Sequence, residues 1–325
     1  MKYISDDCIN KEISQIAIGT GRFGTIVPEE LSFEMLDLFV KYGGTVIDTA
    51  RNYYEWVENG RGKSEACIGK WIESRRIREK ICITTKGGVK NPGRIWDFNL
   101  SRDNLVCELK ESLEALRTDY IDIYLLHKDE KDRAVEEIVE TMQYLQELGN
   151  IGRIGVANWN IDRIKKANSY AESHGLKPFT VIQTWWSVAE YTKEMWNDEN
   201  TTHMDNETHQ YLVDHDLIGM AYTSQCKGYF QKAVRNGTEN VDDFLKRRIE
   251  TPKNLLILDY LSRLSKKNGV DITDLVNAYI TSDNVRSIAL VSTSSVEQLL
   301  DVVGHCDYEM PYEIIECING IKDEK

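Results

Sequence analysis

Eight short β-branched runs recur along this chain, and a longer amphipathic stretch follows each of them. The runs are ISQIAIG (13–19), TVIDTA (45–50), ICITTK (81–86), YIDIYLLH (120–127), RIGVAN (153–158), TVIQTWW (180–186), LIGMAYT (217–223) and SIALVS (287–292). Their length and residue types read as strands. The intervening stretches predict helices over 29–42, 63–76, 101–117, 134–149, 161–174, 206–215, 255–281 in two pieces, and 295–305. In the third of these, Leu105, Leu109, Leu113 and Leu116 share one apolar face behind Ser101, a capping residue type. Pro28 suits a first helical turn, and Gly43, Gly149, Gly175 and Gly269 suit helix ends. Eight strand–helix units in 325 residues predict a closed (β/α)8 TIM barrel with extended loops at its C-terminal face. One domain is expected over 1–325, with the core barrel at 12–306. In such a barrel, reactive groups belong at the C-terminal ends of the strands or in the loops that follow.

Charge and cysteine usage narrow the partners. Forty Lys and Arg stand against 53 Asp and Glu, a net charge of −13. Nucleic acid is therefore not expected as a partner, because duplex binding requires a basic surface. A small anion held by a few local cations is compatible with that charge. No apolar run approaches the roughly 18–20 residues of a membrane span, and MKYISDDCIN lacks the apolar core of a signal peptide. Seven scattered cysteines without a CxxC fit free thiols in a reducing cytoplasm. His203, His209 and His215 recur every six residues, not at the i, i+4 spacing of a helical metal pair, so no metal is expected. The tail from Lys322 to Lys325 is expected to fray.

Gly19-Thr20-Gly21-Arg22-Phe23-Gly24 is formally G-x-G-x-x-G after a strand. In a dinucleotide-binding fingerprint the third glycine lies in the first helical turn, so that the helix N-terminus meets the pyrophosphate. Here Thr25, Ile26, Val27 and Pro28 intervene, and the helix starts too late. A loop after a barrel strand is the expected reading.

The strand ends carry more chemistry. Asp48 ends the second strand with Tyr53 in the next loop, Lys86 ends the third, and His127 ends the fourth. Singly, each has a structural explanation as cap, packing or core residue. Lys86 follows Ile-Cys-Ile-Thr-Thr, so its ammonium needs a partner at the rim, and Asp48 on the adjacent strand is the natural one.

With these residues the chain resembles the aldo-keto reductases. The matching pieces are Asp48-Thr-Ala-Arg-Asn-Tyr53 with Lys63-Ser64-Glu65, Ile83-Thr-Thr-Lys86, Asp119 to His127, Gly155-Val-Ala-Asn158 and Gln183. Ala221-Tyr222-Thr223 with Gly228, and Ser292 to Gln298, complete the pattern. The resemblance implies an NAD(P)H-dependent oxidoreductase moving hydride between nicotinamide and a carbonyl or alcohol, with a catalytic set of Asp48, Tyr53, Lys86 and His127. Tyr53 would be the proton donor, its pKa lowered by the ammonium of Lys86, which Asp48 would hold. His127 would orient the carbonyl and share in proton transfer at acidic pH. The resemblance also implies an NADPH site, with NADH as the other candidate. Asn158 and Gln183 would face the carboxamide, and Tyr222 would stack on the nicotinamide. Thr223, Ser224, Lys227, Ser292, Thr293 and Ser294 would meet phosphates, and Gln298 would meet adenine. Tyr54 departs from a common glycine and Ala157 from a common serine. No Pro, Lys or Arg stands between Val291 and Gln298. That leaves the preference between NADP and NAD open, with Lys246, Arg247 and Arg248 as other candidate cations.

Trp56, Trp96, Trp159 and Trp186 are the expected substrate-pocket residues, although strand alternation allows either Trp185 or Trp186, not both, to face the site. Aromatics at a barrel mouth can stack on a sugar ring or an aromatic aldehyde, and the expected substrate is carbohydrate-like or another polar carbonyl; the other reading is that these rings simply seal helices onto the barrel. Two other readings stay open: an NADPH-binding regulatory or channel-associated subunit, and a different barrel enzyme such as a sugar isomerase or lyase.

Overall fold

The computed structural model describes residues 1–88, 97–148, 151–192, 195 and 200–324. Two short strands, β1 (Tyr3–Ile4) and β2 (Ile13–Ser14), pair antiparallel. Eight parallel strands then form a closed barrel: β3 (Ile16–Gly19), β4 (Val46–Asp48), β5 (Cys82–Gly87), β6 (Ile121–Leu126), β7 (Ile151–Ala157), β8 (Val181–Trp185), β9 (Ile218–Tyr222) and β10 (Arg286–Val291). β10 pairs with both β9 and β3, which closes the cylinder. The (β/α)8 barrel expected from the alternating pattern is the fold observed.

Helices cover the outside: α1 (Glu29–Lys41), α2 (Lys63–Arg75), α3 (Arg102–Leu116), α4 (Val135–Glu147), α5 (Ile161–Ser173) and α6 (Asn206–Asp214). Between β9 and β10 the chain builds α7 (Tyr229–Asn236), α8 (Asp243–Ile249), α9 (Pro252–Asn268) and α10 (Ile272–Thr281). α11 (Val296–Val303) and α12 (Tyr312–Asp323) complete the chain. α7, α8 and α12 were not expected. The first two have eight and seven residues, too few for periodicity to separate a helix from a loop. The tail is also not frayed at Lys322, whose Nζ donates to the Ser187 carbonyl at 2.8 Å and to the Tyr279 hydroxyl at 2.6 Å. α1 begins at Glu29, five residues after Gly24, so no helix N-terminus stands at the glycine-rich loop. Among the described residues no helix is long and apolar enough to cross a membrane.

Two apolar layers share the strands. Ala17, Val46, Cys82, Ile123, Leu125, Val181, Ile218, Met220, Ile288 and Leu290 form a cluster inside the barrel, closed at one end by Ile9 and Ile13. Residues of the opposite parity, such as Ile16, Ile47, Ile83, Tyr124 and Ile182, pack against the helices. Side chains alternate faces along a strand, so parity fixes which residues can reach the barrel mouth.

β7 also approaches its neighbours closely. A Cβ on Gly155 would stand 2.0 Å from the Val181 carbonyl and 2.8 Å from a Leu125 methyl. Gly155→Ala is therefore expected to destabilise by about 1–3 kcal/mol through overpacking. Urea unfolding measures this, and an unchanged midpoint would contradict such tight strand packing.

Candidate active site

Going up each strand by steps of two leads from the apolar interior to a polar rim. Asp48 lies two residues beyond Val46, Lys86 four beyond Cys82, His127 two beyond Leu125, Gln183 two beyond Val181 and Tyr222 two beyond Met220. Asp48, Lys86 and Gln183 are buried. Lys86 Nζ donates to both Asp48 carboxylate oxygens at 2.8 Å, to the Thr49 carbonyl at 2.8 Å and to the Tyr53 hydroxyl at 2.9 Å. Tyr53 Oη donates to Asp48 Oδ2 at 3.0 Å, and Gln183 Nε2 donates to Oδ1 at 2.9 Å. The His127 ring stands edge-on to Tyr53 with centroids 5.8 Å apart, and Phe98 lies 6.4 Å on from His127. One phenol, one ammonium, one carboxylate and one imidazole thus meet in one neighbourhood, although they come from separate segments.

The electrostatics differ in part from the expectation. Burial first, then the charge and hydrogen bond of Asp48, raise the Tyr53 phenol well above its ordinary range. The expected lowering by Lys86 does not dominate, because Asp48 also contacts the phenol and largely neutralises that ammonium. Burial lowers the Lys86 ammonium, partly offset by Asp48 and Glu65. The His127 imidazole is held well below its usual range by burial, with Lys86 and Lys128 adding repulsion. Burial thus opposes protonation of His127, which weighs against the shared proton transfer expected at acidic pH. Its Nδ1 is buried without a hydrogen-bond partner among the described residues.

The residues assigned to a nucleotide sort into two groups. Asn158, just beyond β7 in the left-handed region at φ +61°, accepts from the Tyr222 hydroxyl at 2.7 Å, and its Nδ2 lies 3.5 Å from the His127 carbonyl. Beyond β9, Thr223, Cys226, Lys227 and Gly228 all have positive φ. Ser224 is taken out of the candidate phosphate contacts, because its buried hydroxyl donates to the Leu290 carbonyl at 2.7 Å and ties this loop to β10. Thr293 is also largely buried, whereas the Ser292 hydroxyl is exposed where it reaches Gly19 O at 3.3 Å. Ser294 accepts from Arg22 at 2.7 Å. Gln298 closes a cap: it accepts the Ser294 amide at 2.9 Å while Ser295 accepts the Gln298 amide at 3.3 Å. In this conformation its side chain serves the start of α11 rather than an adenine. Lys246 reaches back to the Glu239 carbonyl, while Arg248 stacks on Phe244.

The tryptophans divide similarly. Trp186 turns outward, its ring edge-on to His209 and against Gly219. It therefore packs helices onto the barrel and does not face the mouth. Trp185, of the same parity as Gln183, takes the inward position and lines a cavity with Thr223, Lys227 and Arg248. Trp159 is buried edge-on against Phe179 with Arg163 over its ring, and it lines a cavity together with Asn158. Trp56 is 59% exposed and leans on Tyr54. Trp96 lies outside the described residues. Phe98, Arg22 and the Gln183–Asp48 contact were not anticipated: Arg22 stands in the glycine-rich loop expected only to connect β3 to α1, Phe98 lies in no local pattern, and only the inward parity of Gln183 hints at its contact.

The aldo/keto reductase family model matches residues 15–323. The chain belongs to the aldo/keto reductase family. A putative aryl-alcohol dehydrogenase of Saccharomyces cerevisiae is 28% identical over 304 residues, covering 90% of this chain and 77% of the relative. Norsolorinic acid reductase of Emericella nidulans is 28% identical over 302 residues, covering 88% and 72%. An uncharacterised oxidoreductase of Bacillus subtilis is 27% identical over 317 residues, covering 95% and 92%. This aldo/keto reductase is an NAD(P)-dependent oxidoreductase.

A nicotinamide dinucleotide fits the residues present. Asn158 and Gln183 offer amide donors and acceptors above β7 and β8, within reach of the Tyr53 neighbourhood. Cations gather above the adjacent strands β9, β10 and β3, where Lys227 feels the charges of both Arg248 and Arg22.

Two measurements probe this site. Lys86→Met leaves a buried carboxylate without its counter-ion, so stability is expected to fall by about 3–5 kcal/mol. Adding Asp48→Asn should restore part of the loss in urea unfolding, and a further additive loss would contradict mutual pairing. The His127 ring resonance in NMR is expected not to titrate between pH 8 and 6. Below pH 6.5 the unfolded chain binds a proton that folded His127 refuses, so stability falls on acidification. His127→Asn should remove that share, and an unaltered acid sensitivity would count against the buried neutral ring.

Proposed function

We propose that this aldo/keto reductase reduces the carbonyl of an aromatic aldehyde or ketone, using NADPH and Tyr53 as the proton donor. The observation that carries this reading is the Tyr53 hydroxyl within hydrogen-bond reach of both Lys86 and Asp48 at 2.9 and 3.0 Å. NADPH, when bound, supplies hydride to the carbonyl carbon. The raised pKa of Tyr53 keeps the phenol protonated across neutral pH, as a general acid requires. As the proton leaves, negative charge develops on Tyr53 Oη, and the ammonium of Lys86 stands ready to stabilise it without reorganisation. Asp48 holds that ammonium, and Gln183 and the Thr49 carbonyl fix the pair. Neutral His127 orients the carbonyl oxygen toward Tyr53.

Asn158 and Gln183 would hold the carboxamide, with Tyr222 beside the ring. Arg22, Lys227 and Arg248 would supply the positive charge toward the phosphates, in place of the Lys or Arg missing between Val291 and Gln298. This favours NADPH over NADH, because a 2′-phosphate gains most from fixed cations. Tyr53 and Phe98 flank His127, and Trp185 shares the inward parity of Gln183 on β8, an aromatic set suited to a ring-bearing substrate. Two of the relatives are named as an aryl-alcohol dehydrogenase and a norsolorinic acid reductase, consistent with aromatic substrates.

The test is NADPH oxidation with benzaldehyde, substituted benzaldehydes, sugars and short aliphatic aldehydes. Benzaldehydes are expected to give the highest kcat/KM. Tyr53→Phe is expected to keep NADPH binding by fluorescence quenching and to lose about 10²–10⁴ in kcat. Equal rates in both proteins would overturn the role of Tyr53, and a preference for aliphatic aldehydes would overturn the substrate class. NADPH binding without turnover on any compound would favour the regulatory-subunit reading instead.

A further inference from the structure

Tyr53 and Lys86 belong to different segments. Lys86 lies on β5, one residue from its end, whereas Tyr53 lies on the irregular segment between β4 and α2. Ladder bonding ends near Arg51, whose amide reaches the Lys86 carbonyl at 3.4 Å. Beyond it the chain makes successive tight turns, with Trp56, Val57, Glu58 and Asn59 exposed, and returns where the Gly62 amide meets the Arg51 carbonyl at 3.0 Å. A projection of this kind needs an anchor outside itself to hold a phenol 2.9 Å from an ammonium.

The structure supplies one on α3. Glu108 is only 3% exposed. Its Oε1 accepts from Arg61, in the returning leg of the Tyr53 segment, at 3.0 Å. Its Oε2 accepts the Gly88 amide at 2.5 Å, two residues beyond Lys86. Asn104, one turn earlier on α3, approaches the same oxygen at 3.4 Å. The carboxylate reaches this spot because residue 87 has no side chain: a Cβ on Gly87 would stand 2.0 Å from Tyr124 Oη and 3.2 Å from Glu108 Oε2. One buried carboxylate therefore holds the Lys86 side of the site with one oxygen and the Tyr53 side with the other. Arg61 adds a second contact within the segment, to Glu55 at 3.3 Å.

We propose that Glu108, acting with Arg61, is a positioning residue that sets the distance between the Tyr53 hydroxyl and the Lys86 ammonium. It acts through the Arg61 guanidinium and the Gly88 amide that it holds. It rests on the reading of Tyr53 as the proton donor. Charge-assisted bonds are stronger and shorter than neutral ones, and a misplacement of about 1 Å at a reacting group costs about 10²-fold in rate. A carboxylate of this kind therefore affects turnover more than binding.

The test compares Glu108→Ala, Glu108→Gln, Arg61→Met and Arg61→Lys in the full chain. Arg117→Met, which breaks the surface pair with Glu73 on the same helix pair, serves as a stability control. Benzaldehyde reduction gives kcat and KM, fluorescence quenching gives NADPH affinity, and thermal unfolding reports folding. Glu108→Ala and Arg61→Met are expected to lower kcat by about 10–100-fold, with NADPH affinity changed less than twofold. Glu108→Gln, which can still accept the Gly88 amide, and Arg61→Lys should recover part of that loss. In combination with Tyr53→Phe the effect of Glu108→Ala should vanish, because the two act through one group. An unchanged kcat in a folded Glu108→Ala, a loss matched by Arg117→Met, or full additivity with Tyr53→Phe would each overturn the proposal. If Glu108→Ala does not fold, the Gln and Lys variants decide on the same criteria. A readout independent of turnover separates this from failure of the proposed function. In protein labelled with 3-fluorotyrosine, the fluorine resonance of Tyr53, assigned by its loss in Tyr53→Phe, should shift in Glu108→Gln and not in Arg117→Met. An unshifted resonance overturns the positioning role even if the wild-type chain reduces no aldehyde offered.

Discussion

The pair formed by Lys86 and Asp48 is the constraint around which the barrel mouth is arranged. Both groups are removed from water, at 0% and 1% side-chain exposure. Desolvating two ions costs several kcal/mol each, which their attraction recovers only if the remaining donors and acceptors are filled. Here they are filled: the ammonium spends its protons on the carboxylate, the Thr49 carbonyl and Tyr53, and the carboxylate takes Gln183 and Tyr53 as well. Every one of those partners is thereby placed. Gln183 is drawn in from β8, three strands beyond β5 in the barrel order, and the Tyr53 segment is folded inward over the rim. A stability requirement and an arrangement suited to proton transfer coincide in the same set of contacts.

The same pair explains the charge state of its neighbours. An isolated ammonium beside Tyr53 would favour the phenolate. Paired with Asp48, it presents little net charge, so burial and the carboxylate prevail and the phenol stays protonated. Burial, with the charges of Lys86 and Lys128 adding to it, holds the His127 imidazole well below its usual range. A site with a neutral phenol, a neutral imidazole and an internally balanced ion pair can desolvate a carbonyl without burying an unpaired charge.

Much of this could be read from the amino-acid order because two periodicities carry it. Alternation of strand and helix fixes the barrel, and the two-residue step along each strand fixes Asp48, Lys86, His127 and Gln183 on the inner face above the apolar layer. The same step assigns Trp185 inward and Trp186 outward once the inward position of Gln183 is known. What could not be read depends on residues that come together only in three dimensions. Glu108 looks like an ordinary polar position on α3, and nothing nearby in sequence marks the amide of Gly88 as its partner. Ser224 looks like a phosphate ligand until β10 is seen to present the Leu290 carbonyl to it. α7 and α8, of eight and seven residues, are shorter than the window over which a helical period can be told from a loop.

The cationic side of the mouth follows the same logic. The chain carries a net charge of −13, which on its own would disfavour a polyanionic nucleotide. Distant charges are screened within about 8–10 Å in physiological salt, so affinity depends on the charges immediately around the phosphates. Arg22 comes from the loop after β3, Lys227 from the turn after β9 and Arg248 from α8. Only Arg248 belongs to a basic run visible in the sequence, Lys246-Arg247-Arg248; Arg22 and Lys227 are remote from it. Because β9, β10 and β3 are adjacent in the closed barrel, closure brings their loops together, and Lys227 comes within the electrostatic reach of both arginines. Arg22 also bonds Ser294, so the loop after β3 is attached to the one after β10. An open sheet with the same strands would leave β3 and β10 at opposite edges, and Arg22 would never meet Lys227 and Arg248. Ring closure is thus what allows an acidic chain to present a locally basic rim.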